Sequence, residues 1–122
     1  MNSYQMNKQV NKEDLIELKE NTREYLSKIQ GKINPKINNI VRDVVWNIAF
    51  IIELDLWMLE MGKELDISEE KRKLYSFLQM FLYLFSWMKP DSYEVIFWDL
   101  EFKGTTENIK AVREKIESVI KI

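Results

Sequence analysis

One stretch, residues 35–61, constrains the fold of this chain more than any other feature. It reads PKINNIVRDVVWNIAFIIELDLWMLEM, follows a candidate N-cap at Asn34, begins with Pro35 and is followed by Gly62. Proline suits the first helical position and glycine the position just past the end, so the stretch predicts a single long helix. At 1.5 Å per residue this helix would be about 40 Å long, slightly more than the diameter of a compact globule of this size. We therefore expect the other elements to pack around it.

The predicted central helix is apolar on two sides. One face collects a long stripe of apolar residues: Ile37, Ile40, Val41, Val44, Ile48, Ile51, Met58 and Leu59. The opposite side carries Trp46, Phe50 and Trp57. Asp55 falls within the apolar stripe, where an unpaired carboxylate would be strongly destabilising. We therefore expect Asp55 to be buried with a hydrogen-bonding or charged partner, and the sequence leaves open whether its role is structural or functional.

The composition excludes several classes of protein. The chain has 122 residues, of which 46% are hydrophobic and 31% charged, values typical of one globular domain. Three glycines and two prolines are little turn material for an all-β fold. The sequence contains no cysteine and no histidine. Disulfides, thiol catalysis, metal sites built on these residues and a histidine general base are therefore excluded.

Two amphipathic stretches flank the central helix in the sequence. The first begins with a capping-box pattern at Asn11 and ends before Gly31, with apolar residues recurring every three or four positions. The next is predicted to begin with a second capping-box pattern, Asp66 with Glu69, and to contain an uncharged run at residues 74–88. This run is shorter than the roughly 20 residues that cross a bilayer. We therefore expect it to be buried against the central helix and predict no membrane span.

Residues 91–103 fit a strand and a helix equally well by periodicity. A helix is favoured by a capping-box pattern, Asp91 with Glu94, and by Gly104 at the position where a helix would end. No other part of the chain offers a strand for pairing. We therefore predict a short helix here.

A last helix is predicted from Thr105 or Thr106 to the C-terminus. Five of its apolar residues are expected to face the core: Ile109, Val112, Ile116, Val119 and Ile120. Residues 1–10 are polar and expected to be loosely ordered. The whole chain, residues 1–122, is thus predicted to be one all-α domain, a bundle of four or five helices around the central helix at about 35–61.

No motif in the chain specifies a reaction, a cofactor or a metal. Glycine-rich phosphate loops and EF-hand spacing are absent from the sequence. We therefore assign no catalytic, cofactor-binding or metal-binding residue and expect the protein not to be an enzyme. The net charge of −2, with acids interspersed among the bases, makes a nucleic-acid partner unlikely on electrostatic grounds. The polar first residues do not resemble a signal peptide, which makes the cytoplasm the expected location.

The aromatic residues indicate protein binding instead. The chain has four tryptophans and five tyrosines, and these residue types are enriched in protein interfaces. We predict a partner-binding surface made of acids and aromatic residues: Asp91, Glu94, Trp98, Asp99, Glu101 and Phe102, with Trp46, Phe50 and Trp57 of the central helix. The acids would attract a basic partner and the aromatic groups would supply the buried area. In the alternative interpretation, the aromatic residues at 98 and 102 pack against the last helix and the acids are merely solvated.

Two classes of function remain open. The first is a non-enzymatic protein-binding module, such as a small inhibitor, an immunity or antitoxin-like protein, or an adaptor subunit. Aromatic residues in excess of what one core requires also predict a homodimer. The second class is a helical domain that binds a nucleic acid or an apolar molecule. The abundance of Asn, Ile and Lys is typical of an AT-rich genome, such as that of a bacterium or a phage.

Overall fold

The computed structural model describes residues 10–120, except the side chain of Ile120, and within that range the chain is a bundle of helices without strands. In chain order these are α1 (Lys12–Ile29), α2 (Pro35–Glu60), α3 (Glu69–Phe85), α4 (Pro90–Phe97) and α5 (Thr105–Ile120). The predicted all-α bundle around one long central helix is confirmed. The expectation of loose order for residues 1–10 falls mainly on residues 1–9, outside the described range, whereas Val10 is buried in the core.

The ends of α2 follow from local chemistry. The Asn34 side chain accepts a hydrogen bond from the backbone N–H of Lys36 at 2.8 Å, and Pro35 occupies the first helical position. Just past the other end, Gly62 adopts a φ of 80°. Glycine enters this left-handed region without the steric penalty of a Cβ atom, so it terminates the helix as predicted.

Two helices, α1 and α5, pack against α2 along two different edges. On one edge, Glu53 of α2 pairs with Lys19 and Arg23 of α1 at 3.2 and 3.3 Å. On the other edge, Asp43 of α2 accepts a hydrogen bond from the side-chain amide of Asn108 in α5 at 3.0 Å. Glu53 and Asp43 lie roughly 80° apart around the axis of α2. The strip of α2 between these two contacts is covered by neither α1 nor α5.

An aromatic cluster joins α1, α3 and α4 on the buried side of the bundle. Phe81 of α3 stacks on Phe85 with 4.7 Å between ring centroids and meets the ring of Tyr25 in α1 edge to face at 5.5 Å. Phe85 in turn contacts Tyr93 and Phe97 of α4, each at 5.3 Å. The hydroxyls of Tyr25 and Tyr93 share a hydrogen bond of 2.7 Å. These contacts fix α4 against the rest of the core although it has only two helical turns.

The buried face of α2 is rotated from the predicted stripe. The buried residues are Ile37, Ile40, Val41, Val44, Val45, Ile48, Ile52, Asp55 and Leu56. Ile51 and Leu59, predicted to belong to the stripe, are only partly buried, and Met58, also predicted to belong to it, is exposed. The additional buried side chains lie on the same side of α2 as Glu53, because α1 packs along that edge.

The N-terminal caps of α3 and α4 differ from the predicted ones. Ser68 rather than Asp66 caps α3, its hydroxyl accepting a hydrogen bond from the third backbone N–H of the helix at 3.2 Å. At α4 the predicted capping box of Asp91 with Glu94 is wrong, because the N-cap position is Lys89 and no side chain caps the helix. The following proline, Pro90, has a fixed φ suited to the first helical position, so the helix begins two residues earlier than an N-cap at Asp91 predicts.

Residues 91–103 are helical only in their first half. After α4 ends at Phe97, residues 98–104 connect it to α5 without regular structure. Gly104, predicted to end a helix, instead precedes the one that begins at Thr105. The connection contributes one partly buried apolar side chain, Leu100, to the core, which is too little to support a continuous helical face.

The core face of α5 is shorter than predicted. Val112 and Ile116 are buried and Ile109 is partly buried, but Val119 is exposed. The predicted burial of Ile120 concerns a side chain outside the described part of the chain. The bundle therefore covers the first three turns of α5 and leaves its last described turn in solvent.

Buried tyrosines give the fold an expected sensitivity to alkaline pH. Burial raises the pKa of Tyr93 from 10.0 to about 12, and burial raises the pKa of Tyr25 and of Tyr75 still further. The unfolded chain therefore loses its tyrosine protons first as the pH rises. The contribution of these tyrosines to the free energy of unfolding should therefore be fully present below pH 10. It should be lost as the pH rises toward 12.

Urea unfolding measured at a series of pH values tests this expectation. The free energy of unfolding should decline above pH 10, where unfolded tyrosine ionises, and the decline should be shallower in Tyr93→Phe. A free energy that stays level through this range would contradict the prediction.

Candidate partner-binding surface

Exposed apolar side chains form a ridge along the uncovered strip of α2. Trp46, Phe50 and Trp57 are 59%, 59% and 57% exposed and lie within roughly 40° of one another around the helix axis. Leu54 and Met61 extend the same exposed strip. These five residues are called the α2 ridge below. Because α1 and α5 bind the edges of α2 on either side, the ridge projects between them.

A second aromatic group lies on α4 and the connection that follows it. Trp98 is 69% exposed and Phe102 is 57% exposed. With the neighbouring acids they form what we call the acidic-aromatic segment, which comprises Asp91, Glu94, Trp98, Asp99, Glu101 and Phe102. All six of its residues are exposed. The alternative in which both aromatic rings pack against the last helix does not match their exposure.

The acids of this segment are not equivalent. Asp99 pairs with Lys115 of α5 at 2.8 Å, and the hydrogen bond from Lys115 lowers the pKa of the Asp99 carboxyl. Within residues 10–120, Asp91, Glu94 and Glu101 form no salt bridge. Three of the four acids are therefore available to attract a partner, while the charge of Asp99 is largely compensated within the chain.

The two aromatic surfaces meet at a shallow cleft. Trp46 of the α2 ridge and Phe102 of the acidic-aromatic segment both line a cleft of about 480 Å³, together with Arg42 and Asp43. Trp98 lies nearer the start of α2, where its carbonyl oxygen accepts a hydrogen bond from Lys36 at 3.4 Å. The predicted surface therefore consists of two adjoining parts, the α2 ridge and the acidic-aromatic segment, which meet at this cleft.

Asn108 fixes the chain at the point where these two parts meet. It was not predicted from the sequence. It is buried in α5, donates to Asp43 of α2, and accepts a hydrogen bond from the backbone N–H of Lys103 at 3.0 Å. The bond to Lys103 fixes the connection directly beside Phe102. The signal was present in the sequence, because Asn108 lies four residues before Val112 on the apolar face of the predicted helix.

Asp55 lies apart from both aromatic surfaces. It is 6% exposed; one carboxylate oxygen accepts a hydrogen bond from Lys71 at 2.9 Å and the other from the Tyr75 hydroxyl. Burial and the bond to the Asp55 carboxylate raise the pKa of Tyr75. The two donors come from the first turns of α3, so these contacts join α2 to α3 and account for a carboxylate within an apolar stripe.

A groove between α1 and α3 is a further sizeable depression. Its volume is about 530 Å³ and its lining includes Glu17, Tyr83 and Trp87. Trp87 is 83% exposed. Another lining acid, Glu24, is paired with Lys28 at 3.0 Å as its helical spacing predicts. Trp87 therefore provides an exposed tryptophan that lies outside both surfaces defined above.

The described residues carry no assembly typical of a metal site. Between residues 10 and 120 no three acidic side chains are grouped so that they could hold a metal ion. None of the helices in this range combines the length and the apolar character needed to span a membrane. What the geometry offers chemically is exposed apolar area bordered by carboxylates.

These observations define the class of the protein as a small all-α bundle with an exposed aromatic surface. Comparison of the chain with protein-family models, with curated proteins and with solved structures gave no significant match in any of the three. Inference about its function therefore rests on the chemistry of its surface.

Proposed function

We propose that this protein is a non-enzymatic protein-binding module, comparable in role to small inhibitors, immunity or antitoxin-like proteins and adaptor subunits. The observation that carries the proposal is the exposure of Trp98, at 69%, and of Phe102 beside uncompensated acids. Large apolar side chains grouped on a surface are favourably removed from water by a partner. Tryptophan is also among the residue types that dominate the binding energy of interfaces.

The charges indicate the kind of partner. Asp91, Glu94 and Glu101 place negative charge beside the aromatic side chains, and none of the three forms a salt bridge with a residue between 10 and 120. Such a rim accelerates association with a basic protein surface, whereas it would repel a nucleic-acid backbone. We infer a partner protein with a basic binding face.

A small apolar ligand has less support than a protein. The cleft between Trp46 and Phe102 is a surface depression whose other lining residues, Asn39, Arg42, Asp43 and Asn47, are polar or charged. Sites for apolar molecules are enclosed and lined mainly by apolar side chains. A cytoplasmic location is part of the proposal, and fractionation of host cells would test it.

Substitution of Trp98 tests the proposed function. We expect Trp98→Ala to weaken partner binding by about 2 kcal/mol, because it removes the most exposed aromatic ring of the segment. The partner is first captured from host cells with tagged wild-type protein and identified by mass spectrometry, and its affinity for each variant is then measured by calorimetry. Trp87→Ala, which removes an even more exposed tryptophan ring from another face, should leave the affinity unchanged.

A charge-reversal variant distinguishes the electrostatic attraction of a basic partner by the acids from the burial of the aromatic side chains. Glu94→Lys combined with Glu101→Lys should slow association, most strongly at low salt, and change dissociation little. Asp99 is left intact, because its substitution would also break the pair with Lys115. If Trp98→Ala and the charge reversal both fold normally and bind like wild type, the acidic-aromatic segment is not the binding site.

A further inference from the structure

We propose that the α2 ridge binds a second copy of this chain, with the two α2 helices packed antiparallel about a two-fold axis that passes between residues 51 and 52. This surface differs from the acidic-aromatic segment, so the proposal goes beyond the partner binding described above. It commits to one occupant because the ridge is complementary to itself in shape, in charge and in area.

The large side chains of the α2 ridge are spaced nearly the same way in both directions along the helix. Trp46 and Trp57 are equally distant from the point midway between residues 51 and 52, and Phe50 and Leu54 lie on either side of that point. In an antiparallel pair, Trp46 of one copy therefore faces Trp57 of the second copy, and this contact occurs twice. A two-fold interface requires such a self-complementary patch.

Charged residues at the two ends of the ridge have opposite signs. Arg42 lies one turn before Trp46, and Glu60 lies one turn after Trp57. Neither forms a salt bridge with any residue between 10 and 120. They lie roughly 27 Å apart along α2, too far to pair within one chain. In the antiparallel arrangement each Arg42 faces Glu60 of the second copy, which places an ion pair at both ends of the interface.

The acid nearest the centre of the ridge does not oppose this packing. Glu53 lies beside Phe50 but is already paired with Lys19 and Arg23 of α1. Its charge is therefore compensated before the second copy arrives. Only exposed apolar side chains and compensated charge meet at the proposed axis.

The exposed area matches what a stable dimer requires. From their exposed fractions, the five side chains of the α2 ridge present on the order of 600 Å² of apolar surface. Arg42 and Glu60 at the rim add to this area, which approaches the roughly 800 Å² that each partner contributes to a stable interface. The ridge alone thus supplies most of an interface.

The mass of the full chain in solution tests dimer formation. Light scattering at high micromolar concentration should give twice the monomer mass of 14.8 kDa. Trp57→Ala should weaken the dimer by at least about thirtyfold, because each substitution removes two tryptophan contacts. Trp87→Ala, outside the ridge, should have no effect. Circular dichroism confirms that each variant keeps its helices.

Charge reversal tests the antiparallel arrangement itself. Arg42→Glu and Glu60→Arg should each weaken the dimer about tenfold, because each places like charges at both ends of the interface. A mixture of the two single variants should restore association, since every end then joins opposite charges. This rescue is specific for contact between copies, because the two positions are too distant to meet within one chain.

Three results would overturn the proposal. They are a monomer mass at every concentration, a dimer that Trp57→Ala does not weaken, and a mixture of the charge variants that associates no better than either variant alone. Each of these would leave the binding of a basic partner by Trp98 and its neighbouring acids intact, because that binding uses a different surface and a different assay.

Discussion

Phe81→Ala should reduce the free energy of unfolding by about 4 kcal/mol, the largest loss we expect from one substitution. Phe81 is fully buried in α3, stacks on Phe85, meets Tyr25 edge to face and also lies 6.3 Å from the ring of Phe77. Removing the ring leaves a cavity among rigid neighbours that cannot collapse into it. A domain of this kind is stable by about 5–15 kcal/mol, so the variant would lose a large part of its stability.

Urea unfolding followed by circular dichroism measures this loss. Trp87→Ala is the matched control, because it deletes a larger ring from a position close in sequence but 83% exposed. It should change stability by no more than about 0.5 kcal/mol. If Phe81→Ala were no more destabilising than this control, the aromatic cluster would not be the centre of the core.

Removing the hydrogen-bonding partners of Asp55 should lower the free energy of unfolding more than replacing Asp55 and its buried partner Tyr75 by apolar residues. Tyr75→Phe deletes a hydrogen bond to a buried carboxylate and should cost about 2 kcal/mol. Adding Lys71→Met leaves the carboxylate unpaired and should raise the loss to about 4 kcal/mol. Asp55→Leu combined with Tyr75→Phe removes both the charge and its buried donor. That variant should lie within about 1 kcal/mol of the wild type.

A mutant cycle over these three positions tests the role of Asp55. The cycle isolates coupling between the side chains from the effect of each substitution alone. Lys19→Met provides the control for Lys71→Met, because it removes a lysine from the more exposed pair with Glu53 and should cost no more than about 1 kcal/mol. If Asp55→Leu with Tyr75→Phe were as destabilised as the variant with an unpaired carboxylate, the contacts of Asp55 would not be its main contribution to stability.

The candidate surface was partly readable from the sequence. Helical periodicity alone placed Trp46, Phe50 and Trp57 on one side of the central helix, and the structure describes all three as exposed. Periodicity could not show that Phe102 shares a cleft with Trp46, or that Lys115 compensates the charge of Asp99. Both depend on how the connection after α4 crosses the bundle, which is held in part by the hydrogen bond of Asn108 to its backbone.

Local sequence by itself determined the two long N-terminal helices. Asn11 and Asn34 cap them, Pro35 begins the second and Gly62 follows its end, as predicted. These features involve hydrogen bonds and backbone conformations within a few residues, so they are encoded where they occur. The long apolar stretch of α2 likewise required a bundle, because so much apolar surface has to be covered by other elements.

The tertiary structure alone decided which sides of α2 are covered. Both sides carry large apolar residues, and the packing of α1 along the edge near Glu53 buried Val45 and Ile52 while leaving Trp46 and Trp57 in solvent. Hydrophobic burial has no direction of its own, so an apolar side chain does not specify which helix will cover it. That choice was made by contacts between residues distant in the sequence, and it is the choice that created the exposed ridge.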